Sequence, residues 1–567
     1  MPSKSKLWLL VAGTAAILAA VFSSACGDDG KTKPSAEELA PVQELRLNLG
    51  NEPETIDPNL AMDGVSIGVI RQLYSGLLSF DQDLSLVPAL ASEVPSHTNG
   101  GISDDGLTYT FRLREDAKWS DGEPITAADI EYSVKRLLDP QTGSPYAPMY
   151  FDIQGAAEYT MAMGNPADPQ PVDAAALSQL RDAVGVEAVD DYTLKVTLVQ
   201  PRYTFVYLAA IWPMYPLRQD IVEGLGDSWT EPGKLVSSGP FVLSEWAHND
   251  HMTLTPNPYW YGEQPKLQKL VLKMIGDPNA AYAAYLNNEL DVVMVPPPNI
   301  GAAEGDSDLS QQLVRSVDMG TFAYEFNVNV PPFDDPKVRQ AFAMAMDREA
   351  FVDKVQFGVG EVAYSLIPPG TAGYDPDLGE EMAYNPEGAR QLLEEAGYSA
   401  DAMPSVTIEF PDVGANRLRA EFAQGQFEEN LGVKVELQPL EPRAFSATIM
   451  QGQFMIVPIG LGADYPDPDS LLPQNFGSTG GSNLSGYSNA EFDTLVQQAI
   501  AEPDSEKRLA LWSQAQQVLI SDAAAIFVSY RERVRLVKPY VKSLILTGMD
   551  AGLDGELFLT QTYIVQH

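Results

Sequence analysis

The chain has 567 residues, 45% of them hydrophobic, and carries 78 Asp and Glu against 36 Lys and Arg, a formal charge of −42. Such acidity excludes nucleic acid and anionic lipid headgroups as direct partners, because both are bound through clustered Lys and Arg. The length exceeds what one hydrophobic core supports, so two or three domains are expected, and no internal repeat is visible.

Lys4 and Lys6 precede an uncharged apolar run, Leu7 to Phe22, and the small residues Ser23-Ser24-Ala25 lead to Cys26. A basic start, a short apolar core and a small-residue cleavage site predict a secretory signal over residues 1–25. The run falls short of the ~20 residues of a comfortable bilayer span, although an uncleaved anchor stays open. Cys26 is the single cysteine of the chain, so it has no partner for an internal disulfide. Its setting, with Gly27-Asp28-Asp29-Gly30 after it, resembles a bacterial lipobox, with Ser23 where Leu is usual. Lipidation at Cys26 is one reading and a free thiol after ordinary cleavage the other; two or more acyl chains would hold the chain to a membrane. Residues 26–44 then read as the lipidated Cys and a polar tether.

Leu45, Leu47 and Leu49 alternate with polar residues as in a half-buried strand, and so do Tyr109, Phe111, Leu113 and Leu194, Val196, Leu198. Thr126 with Asp129 reads as a capping box ahead of a stripe of Ile130, Val134, Leu137 and Leu138. GPFVLSEWA and MTLTP flank His248-Asn249-Asp250-His251 as a hairpin. Asp335-Pro336 starts a helix with Val338, Phe342, Ala345 and Met346 inward. Asn385-Pro386 starts another with Leu392, Leu393 and Ala396 inward, stopped by Gly397. A helix near 416–429, a strand from Val433 to Leu437, helices at about 489–500 and 504–521 and a strand at 525–530 complete the series. VPPPNI (295–300) and the Gly/Ser stretch 477–486 read as loops. Alternating helices and strands make the class α/β with mixed sheets.

Catalytic chemistry is poorly provided for. There are four histidines, His97, His248, His251 and His567, and no P-loop, HExxH or GxSxG pattern. His248 and His251 could be a metal pair, but the polar turn explains them better. No enzyme activity, cofactor or metal is expected.

The blocks NEPETIDPNLAMDG, GLTYTFRLREDAKWSDGEPITAADIEYSVKRLLDP, GPFVLSEWAHNDHMTLTPNPYW, FAYEFNVNVPPFDDPKVRQAFAMAMDRE and ADYPDPDSLL, in this order, resemble family 5 of the solute-binding subunits of ABC importers. SPYAPMY, GDSWTEPGKLVSSGPF and RLVKPYV are most similar to its oligopeptide-binding branch. The resemblance covers the chain from residue 45 to the end. It implies a two-lobed periplasmic-binding-protein fold (type II, large peptide-binding variant). Lobe 1 would take residues 45–275 and 531–567, with an inserted subdomain at about 76–185, and lobe 2 residues 276–530. Crossings near Ile275 and Ser529 would form the hinge. It further implies an extracytoplasmic monomer that captures short peptides and hands them to the permease subunits of an importer.

For the site, the resemblance implies Asp464 as partner of a peptide's α-ammonium, although Asp464, Asp467 and Asp469 between prolines also read as an acidic turn. Gly460, Leu461 and Gly462 would offer a strand edge to the peptide backbone, opposed by Asp63, Gly64 and Val65. Tyr146 and Tyr530 match aromatic positions near the ligand, and Asn327 would organise the second lobe. Leu461 and Pro442 stand where the branch has Trp, and Ile449 and Pro458 where it has basic residues; Arg443 and Arg531 lie close enough in sequence to substitute. Oligosaccharides, metal chelates, opines and haem are taken by relatives of the same fold, and a ligand sensor would share the pocket.

Overall fold

A computed structural model describes residues 38–164, 171–398 and 403–567. The signal, Cys26 and most of the tether lie outside the described residues. Strand β1 (Glu44–Asn48) buries Leu45 and Leu47 and runs parallel to the edge of a later hairpin. Helix α1 (Gly64–Leu73) is capped by Asp63, whose carboxylate accepts from the Ser66 N–H at 2.9 Å. Strands β2 (Thr108–Arg112), β3 (Val186–Asp190) and β4 (Thr193–Thr197) form an antiparallel sheet in the order β2-β4-β3. Helix α2 (Ala127–Leu137), whose capping box is Thr126 and Asp129, lays Ile130, Val134 and Leu137 in the first core. Strands β5 (Phe241–Ala247), β6 (His251–Pro256) and β7 (Lys269–Lys273) complete a four-stranded sheet in the order β1-β7-β6-β5. The β5–β6 turn carries Asn249 at φ +62°, the left-handed conformation that such turns require.

The second sheet is built from β8 (Val292–Met294), β9 (Leu313–Phe326), β10 (Val406–Pro411), β11 (Val435–Leu440), β12 (Ile456–Gly462) and β13 (Ala525–Val537), in the order β8-β13-β9-β12-β10-β11, with Glu361–Val362 added against β13. Helices α3 (Pro336–Met344), α4 (Pro386–Glu395), α5 (Asn416–Leu431), α6 (Pro442–Met450), α7 (Ala490–Ala501) and α8 (Ser505–Ser521) belong to the same half of the chain. Asp335 and Asn385 cap α3 and α4. Val338, Phe342, Ala345 and Met346 are fully buried in the second core. Leu393 is buried too, whereas Leu392 and Ala396 only pack against that core's margin.

The strand expected at 525–530 runs on to Val537. Arg531, Arg533 and Arg535 extend it with an acid for each: Asp318 takes the first two and Asp554 the third. The strand expected from Val433 starts at Val435, because α5 continues to Leu431 and Gly432 turns the chain at φ +69°. VPPPNI is not all loop: Pro297–Asn299 is a 3-10 turn and Ile300 opens a short helix. No helix among the described residues is long and apolar enough to cross a membrane.

The two largest of four hydrophobic cores among the described residues hold the two halves. Leu461 belongs to the second and Tyr465 to the first, with Ala463 packed against both. The segment 461–465 therefore passes from one lobe's core to the other's, and Asp464 lies on the passage.

Candidate ligand-binding site

β12 pairs with β9 along its whole length, from Ile456↔Phe326 to Gly462↔Gly320. On its other edge β10 pairs with it only at Ile456↔Ile408. Past that point no strand among the described residues covers that edge, which leaves backbone donors and acceptors open to an incoming strand. Gly460 and Gly462 are exposed, and space around Gly462 is open to 4 Å. Leu461 between them is 3% exposed and packs in the second core, so its side chain is structural.

The three acids after β12 have different partners. Asp467 accepts from the Asp469 N–H at 3.1 Å and caps the turn. Asp469 is fully buried and takes Arg202 at 2.9 Å, the Tyr465 hydroxyl at 3.0 Å and the Thr204 hydroxyl. Tyr465 stacks on Tyr207 at 5.5 Å. The acidic-turn alternative thus accounts for Asp467 and Asp469. Asp464 stays apart: its N–H donates to Ser470 Oγ at 2.8 Å, and its carboxylate has no ion pair among the described residues. Loss of solvation pushes its pKa up to about 6, with the Arg71 charge and the Tyr146 hydroxyl holding it lower than burial alone would.

Tyr146 meets the Trp212 ring edge-on at 5.1 Å, and burial, then the Asp464 charge, push its hydroxyl well above the usual range. Trp212 Nε1 donates to Ala61 O at 3.2 Å. Arg71 lies 5.7 Å from the Trp212 ring, donates to Met549 O at 2.8 Å and pairs with Glu556. Its charge is therefore already matched, and Asp464 faces a polarised but uncommitted surface. Arg71, Trp212 and Glu556 were missed in the sequence; only the folded chain brings residues 71, 212 and 556 together.

The other expected residues are distributed as follows. Asp63 is occupied as a helix cap, and Gly64 is pressed against Ala551 and Gly552, so close that a Cβ on Gly552 would lie 2.3 Å from the Gly64 carbonyl carbon. Val65 is partly exposed next to it. Tyr530 is 5% exposed and its hydroxyl meets Ser365 Oγ at 2.8 Å. Arg531 pairs with Asp318 at 2.6 Å and lies across Gly320 and Gly460. Arg443 is exposed at the start of α6, away from the residues that converge on Asp464. Asn327 ties β9 to Gly452 O at 2.8 Å. His248 and His251 engage Glu52 and Asp250 in the hairpin turn, and no group of three or more metal-ligating side chains occurs among the described residues. A cavity of about 890 Å³ beside α2, lined by Asp57, Arg136 and Trp229 among others, includes none of these site residues.

A two-lobed α/β fold, with an exposed glycine strand edge and an unpaired carboxylate where the two cores meet, defines a solute-binding protein of the periplasmic type. The sequence profile of the bacterial extracellular solute-binding proteins, family 5 (middle region), matches residues 85–483, and the chain belongs to that family. It is 32% identical to the dipeptide-binding protein DppE of Bacillus subtilis over 96% of this chain and 97% of the relative. It is 31% identical to the periplasmic oligopeptide-binding protein OppA of Escherichia coli over the full length of both. The solved structure of the E. coli murein tripeptide binding protein MppA superposes with a TM-score of 0.79 at 29% identity, covering 93% of this chain and all of that one. The family and these relatives are solute-binding proteins rather than enzymes.

Proposed function

We propose that the protein is the lipid-anchored, extracytoplasmic subunit of an ABC importer that captures short peptides and delivers them to the membrane permease. Asp464 carries the reading. A half-buried carboxylate without a cation is costly, and a ligand ammonium is the group that relieves it. The open edge of β12 adds recognition of the peptide backbone, which suits a carrier of many sequences. The peptide-binding names of the relatives agree with this chemistry. Cys26 carries the anchor in this reading, and the protein acts as a monomer.

Residues 45–275 and 531–567 form one lobe and 276–530 the other, closing about crossings near Ile275 and Ser529. The β9–β13 ladder is irregular beside Ser529, between Val317 and Thr321 and between Phe322 and Ala323, which supports a bend there. Tyr146, with Asp63, Gly64 and Val65, faces the ligand from the first lobe. Gly460, Gly462, Asp464 and Tyr530 face it from the second, and Arg531 lies at the crossing between the two.

The test is mass spectrometry of small molecules released by unfolding residues 27–567 after native purification. Mixed peptides with free amino termini are expected. An oligosaccharide, a metal chelate or a single non-peptide metabolite would overturn the peptide reading and leave the family assignment in place.

A further inference from the structure

Arg202 stands on the first lobe and reaches into the second. Its Nη1 donates to Met149 O and to Asp152, both at 3.0 Å. Its Nη2 and Nε reach Asp469 at 2.9 and 3.2 Å. The pair is dry: 6% of the Arg202 side chain and none of the Asp469 side chain is exposed. Further contacts run the same way. The Thr204 hydroxyl donates to Asp469, and the Tyr207 and Tyr465 rings stack within 9° of parallel. The Tyr203 N–H donates to Ile500 O, near the end of α7, at 3.3 Å. Residues 202–207 therefore grip the turn that follows β12, and that turn begins at Asp464.

The two ends of the turn are tied together, because the Asp464 N–H donates to Ser470 Oγ at 2.8 Å, one residue past Asp469. The first lobe meets both ends with one short segment: Tyr146 at Asp464, and Met149 O with Asp152 at Arg202. Asp467, between them, has Arg508 at 3.8 Å from its own lobe. An ion pair as dry as Arg202–Asp469 is close to break-even, because the cost of leaving water offsets the attraction. Parting the lobes returns Asp469 to water and leaves Arg202 with Asp152. The pair can therefore release, whereas a chain lacking Arg202 would have to bury an uncompensated carboxylate each time it closed.

We infer that Arg202 is a positioning residue for ligand capture: through Asp469 it catches the 464–469 turn against the first lobe, which closes the lobes and sets Asp464 beside Tyr146. The inference rests on the lobe boundaries and the peptide reading above. Arg202 acts on affinity through closure, since the apparent Kd is the intrinsic Kd divided by the closed fraction.

Pulsed electron resonance on residues 27–567 tests it, with spin labels at Lys118→Cys and Glu429→Cys. Both positions are exposed, one on each lobe, and Cys26 is the single native cysteine. The empty wild type should show a short-distance population that grows when tri-alanine is added. Arg202→Gln should cut that population about tenfold in the empty protein and weaken tri-alanine binding by the same factor, mainly in the dissociation rate. Arg202→Lys, which keeps the charge, should recover part of the loss. Arg202→Met with Asp469→Leu, which leaves no unpaired charge between the lobes, should recover most of it. A residue needed only for folding would lower the melting temperature and leave the distances alone. Gln-variant distances equal to wild type, or lost affinity without lost closure, overturn the catch alone. Wild-type distances that bound tri-alanine does not change overturn the lobe boundaries and the catch with them. A wild type that binds no tri-alanine overturns the peptide reading, and the distances in the empty protein then decide the catch.

Discussion

Replacing Asp464 by Asn should abolish most peptide affinity with little effect on the fold. In the empty protein burial raises the carboxylate's pKa to about 6, against about 4 for an ordinary Asp, so the ionised form is disfavoured by about 3 kcal/mol relative to an ordinary Asp. A ligand ammonium offsets that cost. Removing the carboxylate leaves the ammonium desolvated and unpaired, so a loss of about 3–5 kcal/mol, two to four decades in Kd, is expected. The pH dependence follows the same group. Binding needs the ionised form, so wild-type affinity should fall about tenfold per pH unit below 6, and the Asn variant should be flat. For the empty protein the sign is opposite to that of a salt-bridged Asp. The folded pKa is raised, so the stability it contributes is present below about pH 4 and is lost as pH rises through 6. Peptide-saturated protein should therefore gain the most thermal stability, relative to empty protein, at neutral pH. Calorimetry from pH 5 to 8 with a free-amine peptide and its N-acetyl form measures all of this. Unchanged affinity in Asp464→Asn, or equal binding of the acetylated peptide, would falsify the assignment.

Glu325 is fully buried in β9 with both carboxylate oxygens unpartnered, and burial pushes its pKa up to about 8. It is protonated at neutral pH, so the wild type should lose stability from about pH 4.5 to 8, at up to about 1.4 kcal/mol per pH unit; Glu325→Gln should flatten that slope in thermal melts and be the more stable form at pH 8. Asp469→Ala removes one of the two acids of Arg202, whose side chain is 6% exposed, and leaves it Asp152 at 3.0 Å; a loss of about 3 kcal/mol in urea unfolding is expected. Arg202→Met combined with Asp469→Leu should cost less than Asp469→Ala alone, and a strictly additive double mutant would show that the pair is not coupled. Gly552→Ala drives a Cβ to 2.3 Å from the Gly64 backbone; a destabilisation of about 1–3 kcal/mol is expected, and a melting temperature equal to wild type would mean that the 63–65 segment is free to shift.

Local structure was largely legible in the sequence. Thr126-Asp129, Asp335-Pro336 and Asn385-Pro386 each start a helix as read, because a cap satisfies backbone donors only a few residues away. Leu45 and Leu47 alternate into the core for the same short-range reason. Readings failed where a partner lay far along the chain. The strand expected at 525–530 runs seven residues further, where Asp318 and Asp554 give its guanidiniums their counter-charges. Arg443 was a candidate by proximity in sequence, but α6 leaves it exposed.

The sequence by itself determined the family, through ordered blocks, and the helices and strands, through periodicity and caps that act within a few residues. It also marked the run from Asp464 to Asp469 as the place to look. Which of those acids is free was decided only by tertiary structure. Arg202, 267 residues away, closes over Asp469, and Asp467 turns back on its own backbone. Arg71 reaches Asp464 already matched by Glu556. A charge becomes a binding group when its surroundings are dry and its partner is missing, and both conditions are set by residues that only folding brings together.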